Sequence, residues 1–263
     1  MTAPQSLAPH ERISAAIRAA APHGPALVAF MTAGYPKRER FREQLAAVAG
    51  AADVVEIGVP FTDPMADGVT IQRSSREALA QGVTLEWILE ELAAMPALRA
   101  PLLLMSYLNP LLSFGFEKLA QAAERARVAG FIVPDLPFDE GGELAEALAA
   151  RGIALVQMAT PVSTPERLRR VCGASRGFVY AVTMTGTTGR SAAVPDDVLG
   201  YLQRVRAVSQ VPVCAGFGIR TREQVARLAG HVDGVVVGSA LVEVLERGED
   251  PGAWLRGLRQ DGE

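Results

Sequence analysis

The chain predicts an α/β fold, a single (β/α)8 barrel of the TIM type, and three observations carry that expectation. Its 263 residues match the size of one such barrel. Eight short runs rich in Val, Ile and Leu recur along it, as parallel strands buried on both faces require. Amphipathic stretches separate these runs, as crossover helices between parallel strands would. No Gly/Ser-rich linker or low-complexity tract interrupts the pattern, so residues 1–263 are expected to form one domain, with 1–11 as a flexible N-terminus.

The strand-like runs are ALVAFMTA from Ala26, DVVEIG from Asp53, PLLLMSYL from Pro101, GFIVPDL from Gly130, IALVQMA from Ile153, GFVYAV from Gly177, VPVCAG from Val211 and GVVVG from Gly234. Between them, FREQLAAVAG, FEKLAQAAERAR, GELAEALAARG, TPERLRRVCG and TREQVARLAG read as helices, several ending in a glycine suited to a helix C-terminus. A short amphipathic segment around Ile13 and Ile17 precedes the first run and is expected to cap the barrel floor as an extra N-terminal helix. About forty residues separate the second and third runs, room for an extended loop after strand 2 and more than one helix.

Composition narrows the function classes. Hydrophobic residues make up 49% and charged residues 21%, enough apolar material for a large core and too much for a disordered chain. The formal net charge is −3 with Lys and Arg scattered, which argues against nucleic acid as a partner. Cys172 and Cys214 are far apart and in no ligand-like spacing, so buried free thiols are expected and no metal site. The N-terminal residues show no basic stretch followed by an apolar run, and no later run approaches a membrane span; we expect a cytoplasmic protein.

In a barrel of this kind the chemistry sits at the C-terminal ends of the strands. Glu56 stands inside the second run, where a carboxylate facing an apolar layer costs several kcal/mol, roughly, unless it is neutralised or paired. An outward-facing glutamate in a salt bridge is the competing reading. The loop that follows, Gly58 to Gly68, is stiffened by prolines and presents Asp63 and Asp67; each aspartate also reads as an ordinary turn former. Glycine clusters follow the last three runs: Gly186-Thr187-Thr188-Gly189, Gly216-Phe217-Gly218 and Gly238-Ser239. Backbone N–H groups at Gly189, Gly218, Gly238 and Ser239 can approach an anion, and Ser239 opens a helix whose N-terminus favours negative charge. This is a candidate phosphate cradle, with simple turns as the alternative for any one glycine. Phe30, Met105, Tyr107, Tyr180 and Phe217 stand at strand ends as candidate pocket walls, with core packing as the competing explanation.

In chain order these segments resemble the tryptophan synthase alpha subunit family over essentially the whole barrel. EIGVPFTDPMADG is close to that family's signature, and AFMTAGYP, YLNP, VPDLP, TGTTG, GFGI and VGSALV follow the same order. The resemblance implies retro-aldol cleavage of indole-3-glycerol phosphate to indole and glyceraldehyde 3-phosphate, with no cofactor in this chain. It also implies a beta subunit carrying pyridoxal phosphate as partner, in an α2β2 hetero-tetramer that receives the indole. Carried over by position, Glu56 and Asp67 are the catalytic carboxylates, Asp63 is structural, Tyr180 lines the site, and Tyr107 lies near the indole pocket. Thr188 is the loop threonine that closes over the site. The chain departs from the usual pattern at Thr62, Met184 and Thr187, which removes no reactive group but leaves loop closure open.

The reaction assigns roles to the carboxylates. Cleavage begins with protonation of indole C3, a task for Glu56, which then takes the proton of the side-chain hydroxyl as the carbonyl forms. Positive charge develops on the indole nitrogen meanwhile, and Asp67 accepts its N–H. Three rival readings stay open at this point. A sugar-phosphate epimerase would share the cradle but needs metal ligands; a non-catalytic phospholigand sensor needs no carboxylates; a stand-alone indole-releasing lyase needs no partner.

Overall fold

The computed structural model describes residues 7–183, 196–216 and 218–259. Helix α1 (Pro9–Ala20) precedes β1 (Ala26–Thr32), α2 (Phe41–Ala51), β2 (Val54–Gly58), α3 (Val69–Ala80), α4 (Leu85–Ala94) and β3 (Leu102–Met105). The chain continues through α5 (Leu108–Phe114), α6 (Phe116–Arg125), β4 (Val128–Ile132), α7 (Gly142–Ala149), β5 (Ala154–Ala159), α8 (Pro165–Ala174) and β6 (Val179–Val182). It ends with α9 (Asp196–Val208), β7 (Val213–Gly216), α10 (Arg222–Leu228), β8 (Gly234–Val237), α11 (Ser239–Glu246) and α12 (Pro251–Gly257). The strands pair in parallel in sequence order and β8 closes on β1, giving the expected (β/α)8 barrel.

Strand alternation sorts side chains into two cores. Leu27, Ala29 and Met31 of β1 and Val55 and Ile57 of β2 point outward and pack under the helices, while Val28 and Val54 point into the lumen. The lumen is filled from below by α1: Ile13 and Ile17 are fully buried against Val54, Leu103, Phe178 and Cys214. Its placement is secured by Ser14, whose hydroxyl donates to the Gly177 carbonyl at 2.5 Å. Residues 9–11 were expected in a flexible terminus; they form the first turn of α1 instead, and the His10 ring bonds the Gly152 carbonyl at 2.9 Å.

The floor is also pinned by the same device at two strand starts. Asp53 accepts from the Leu27 N–H and from Arg259, each at 2.8 Å. Asp233 accepts from the Val213 N–H at 2.8 Å and from Arg206 at 3.1 Å. Each carboxylate satisfies an amide at the start of a neighbouring strand and is itself neutralised by an arginine. Strand β4 begins two residues before its predicted start, at Val128, because Leu102 pairs there ahead of a register shift. Both cysteines are free and buried.

Candidate active site

Glu56 shares the lumen-facing parity of Val54, two residues earlier on β2, and pairs across to Phe30 on β1 and Leu103 on β3. That parity excludes an outward-facing glutamate held in a surface salt bridge. The residue is 1% exposed, and its Oε2 meets no hydrogen-bond donor among the described residues. Burial, with a smaller contribution from the Asp67 charge, pushes the Glu56 carboxyl up to about 8. It is thus protonated at neutral pH, and it borders the cavity at the barrel mouth.

The loop after β2 carries the second carboxylate to that mouth. Phe61 stacks on Tyr107 with ring centroids 5.0 Å apart and planes at 23°, and the Tyr107 hydroxyl accepts from the Ala66 N–H at 2.9 Å. The same hydroxyl donates to Asp67 Oδ2 at 3.1 Å, and Gln72 Nε2 donates to the Asp67 carbonyl at 2.9 Å. Burial raises Asp67 to about 6, and the Tyr107 bond opposes the rise. Asp63 lies outside this arrangement, exposed, with Thr62 donating to its Oδ2 at 2.5 Å.

A cavity of about 500 Å³ opens at this end of the barrel, bounded by Glu56, Asp67, Phe30, Tyr180 and Met105. That volume is within the range of small-molecule sites. Two missing Cβ atoms shape it. A Cβ on Gly58 would lie 2.5 Å from the Phe30 ring, and one on Gly216 would lie 2.5 Å from the Tyr180 hydroxyl. Each aromatic wall therefore occupies space that any larger residue on the adjacent strand would take. Burial drives the Tyr180 hydroxyl well above its usual range, with the Glu56 charge adding to the rise, so it stays neutral beside the carboxylates.

Tyr107 differs from its expected place: it does not border the cavity but stands behind Asp67 as a donor. The YLNP turn starts α5 directly after Tyr107, and this directs the ring toward the loop rather than the lumen. Met158, Ile71, Pro134 and Val236 border the cavity and were not singled out from the sequence. Met158 pairs with Tyr180 across β5 and β6 and so faces the same way. Strand-to-strand register was the missing information; an isolated Met in an apolar run carries no such signal.

Gly218, Gly238 and Ser239 border the same cavity. Ser239 is the first residue of α11 with Gly238 as its cap, so the first-turn N–H groups, which have no partner within the helix, face the space. Thr183 donates to the Gly216 carbonyl and ties the end of β6 to β7 below them. Three predicted site residues, Thr188, Gly189 and Phe217, lie outside the described residues, as do Met184 and Thr187. Among the described residues no cluster of three or more His, Cys, Asp or Glu could hold a metal ion, and no helix is long and apolar enough to cross a membrane.

A sequence model of the family described as "Tryptophan synthase alpha chain" matches residues 17–256. The chain is 44% identical over 248 residues to the tryptophan synthase alpha chain of Nitratidesulfovibrio vulgaris (strain DP4), covering 93% of this chain and 96% of that one. It is 46% identical over 237 residues to that of Desulfovibrio desulfuricans, covering 88% and 93%. Among solved structures, tryptophan synthase from Mycobacterium tuberculosis superposes with a TM-score of 0.86 at 34% identity over 96% of this chain and 97% of that one. The alpha subunit from Legionella pneumophila str. Paris superposes with a TM-score of 0.84 at 29% identity, again over 96% and 97%.

Proposed function

We infer the working of this site from the premise that the chain belongs to the tryptophan synthase alpha chain family, which its match over residues 17–256 establishes. It is a lyase of tryptophan biosynthesis that cleaves indole-3-glycerol phosphate to indole and glyceraldehyde 3-phosphate and acts with a beta subunit. The residue roles that follow are our own assignment, as are a single domain over the whole chain, a cytoplasmic setting and the absence of a cofactor here. Pyridoxal phosphate is assigned to the beta subunit.

One observation carries the assignment: two carboxylates open on one cavity with their pKa values pushed apart, Glu56 to about 8 and Asp67 to about 6. Between those values Glu56 is protonated and Asp67 is charged, the division of labour that the cleavage needs. Glu56 gives its proton to indole C3, making the ring an electron sink. Asp67 accepts the indole N–H and stabilises the positive charge that grows there. Glu56, now a carboxylate, removes the hydroxyl proton on the carbon attached to C3. The C–C bond breaks, its electrons restore the indole ring, the aldehyde of glyceraldehyde 3-phosphate forms, and Glu56 ends protonated as it began.

Phe30, Tyr180, Met105 and Met158 are assigned to the indole, and Gly218, Gly238 and Ser239 to the phosphate, with Gly189 expected beside them. Thr188 and Phe217, expected in loop closure and in the indole wall, lie outside the described residues. Anchoring the phosphate, remote from the bond that breaks, turns binding energy into orientation. The test is release of indole from indole-3-glycerol phosphate by the purified chain, alone and with a beta subunit. Slow release that the partner accelerates supports this reading. Equal rates would point to a stand-alone lyase, and no release in either condition would remove the assignment.

A further inference from the structure

One side chain outside the reacting carboxylates joins three walls of the cavity. Glu243 lies on α11, four residues after Ser239. Arg220, two residues past Gly218, donates to both of its carboxylate oxygens, at 2.7 and 2.9 Å. Thr70, three residues past Asp67, donates to Glu243 Oε1 at 3.4 Å. One turn further along both helices, Arg73 of α3 donates to Glu246 of α11 at 2.5 Å. Thr70 and Arg73 on one helix, and Glu243 and Glu246 on the other, are each three residues apart and so share a face, which makes the contacts two successive rungs between α3 and α11.

The rungs connect parts with different tasks. Helix α3 continues directly from the Asp67 loop, α11 opens at the phosphate end, and Arg220 belongs to the loop after β7 that carries Gly218. The guanidinium of Arg220 is the main cause that holds Glu243 below the usual carboxylate range, so the bridge stays charged through the working pH window. Partly exposed ion pairs add little to stability by themselves. Their convergence on the Asp67 loop and on the elements that carry Gly218 and Ser239, all bordering one cavity, is what gives this set a consequence for the reaction.

We propose that Glu243 is a positioning residue for the cleavage: it fixes the helix behind the Asp67 loop against the two phosphate-binding walls, so that capture of the phosphate end sets the place of Asp67 at the indole end. The inference rests on the phosphate assignment above. Thr70 is the arm toward Asp67, and Arg220 is the arm toward Gly218.

The two arms can be cut separately in the full chain assayed with its beta subunit, well below each variant's melting temperature. Inorganic phosphate, tested as a competitor of indole-3-glycerol phosphate, reports the phosphate walls. Thr70→Val removes the Asp67 arm without changing charge; kcat is expected to fall about threefold to tenfold, with phosphate inhibition unchanged within about twofold. Thr70→Ser, which keeps the hydroxyl, should restore kcat. Glu243→Ala cuts both arms and should lower kcat by a similar factor while also raising KM and weakening phosphate inhibition severalfold. A lower melting temperature with kcat near wild type in Thr70→Val and Glu243→Ala would reduce the bridge to a structural role and overturn the proposal. Failure of phosphate to compete even in the wild type would instead overturn the phosphate assignment, and the coupling with it.

Discussion

Glu56 is costly to the fold at neutral pH, and the cost has a sign that can be measured. Its folded pKa, about 8, lies above the ordinary 4.5, so between those values the folded state binds more protons than the unfolded one. Stability therefore falls as pH rises through that window, by an amount on the order of a few kcal/mol. Glu56→Gln cannot ionise and escapes this loss. It should melt higher than wild type at pH 8 and about equally at pH 4, by calorimetry. The same variant should lose roughly 10² to 10⁴ in kcat, the usual contribution of a general acid–base group, while still binding substrate. Turnover near wild type would exclude Glu56 as the proton donor.

The two carboxylates also predict the shape of the pH profile. The rate constant kcat/KM should be bell-shaped, with an acid limb near 6 from Asp67 and an alkaline limb near 8 from Glu56. Tyr107 gives a way to identify the acid limb. Its hydroxyl bond lowers the Asp67 pKa, so Tyr107→Phe should move that limb to higher pH and leave the alkaline limb nearly in place. A limb that stays put would mean that it belongs to another group.

At the scale of elements, the barrel separates support from chemistry. Helix α1 fills the floor with Ile13 and Ile17, both fully buried and far down the lumen from the carboxylates. Ile17→Ala leaves a cavity there and should cost about 2–5 kcal/mol in denaturant unfolding, with KM unchanged below the melting temperature. Gly216→Ala should behave in the opposite way. The added Cβ falls 2.5 Å from the Tyr180 hydroxyl, and this forces the aromatic wall into the cavity. Steady-state kinetics should show a raised KM and lowered kcat with a comparatively small change in melting temperature.

For the whole molecule, the loops bearing the cavity present exposed apolar side chains: Met65 is 89% exposed and Val69 77%, beside Asp67, and Val162 after β5 is 81% exposed. A face of this kind, on the loops around the cavity, suits an enzyme that works with a beta subunit. A partner covering the mouth would exclude water and hold the Asp67 loop in place. Indole release should accordingly be slow for the isolated chain and faster with the beta subunit, read directly as indole produced per unit time.

Eight apolar runs separated by amphipathic stretches were enough to determine the barrel, because strands buried on both faces need such runs and crossover helices need the stretches between them. The ordered motifs were enough to identify the family, and with it the substrate. What the chain could not express is parity and register. Whether Glu56 faces the lumen follows from its pairing with Phe30 and Leu103, set by strands far apart in sequence. Tyr107 looked like a pocket wall until the turn into α5 aimed its hydroxyl at Asp67, and Met158 joined the cavity only through its register with Tyr180. The Arg220–Glu243–Thr70 bridge spans 173 positions of sequence between its last two members. Such contacts depend on closure of the barrel, which brings β8 and its helix beside β1 and the loop after β2; local periodicity, reaching only a few residues, holds no record of it.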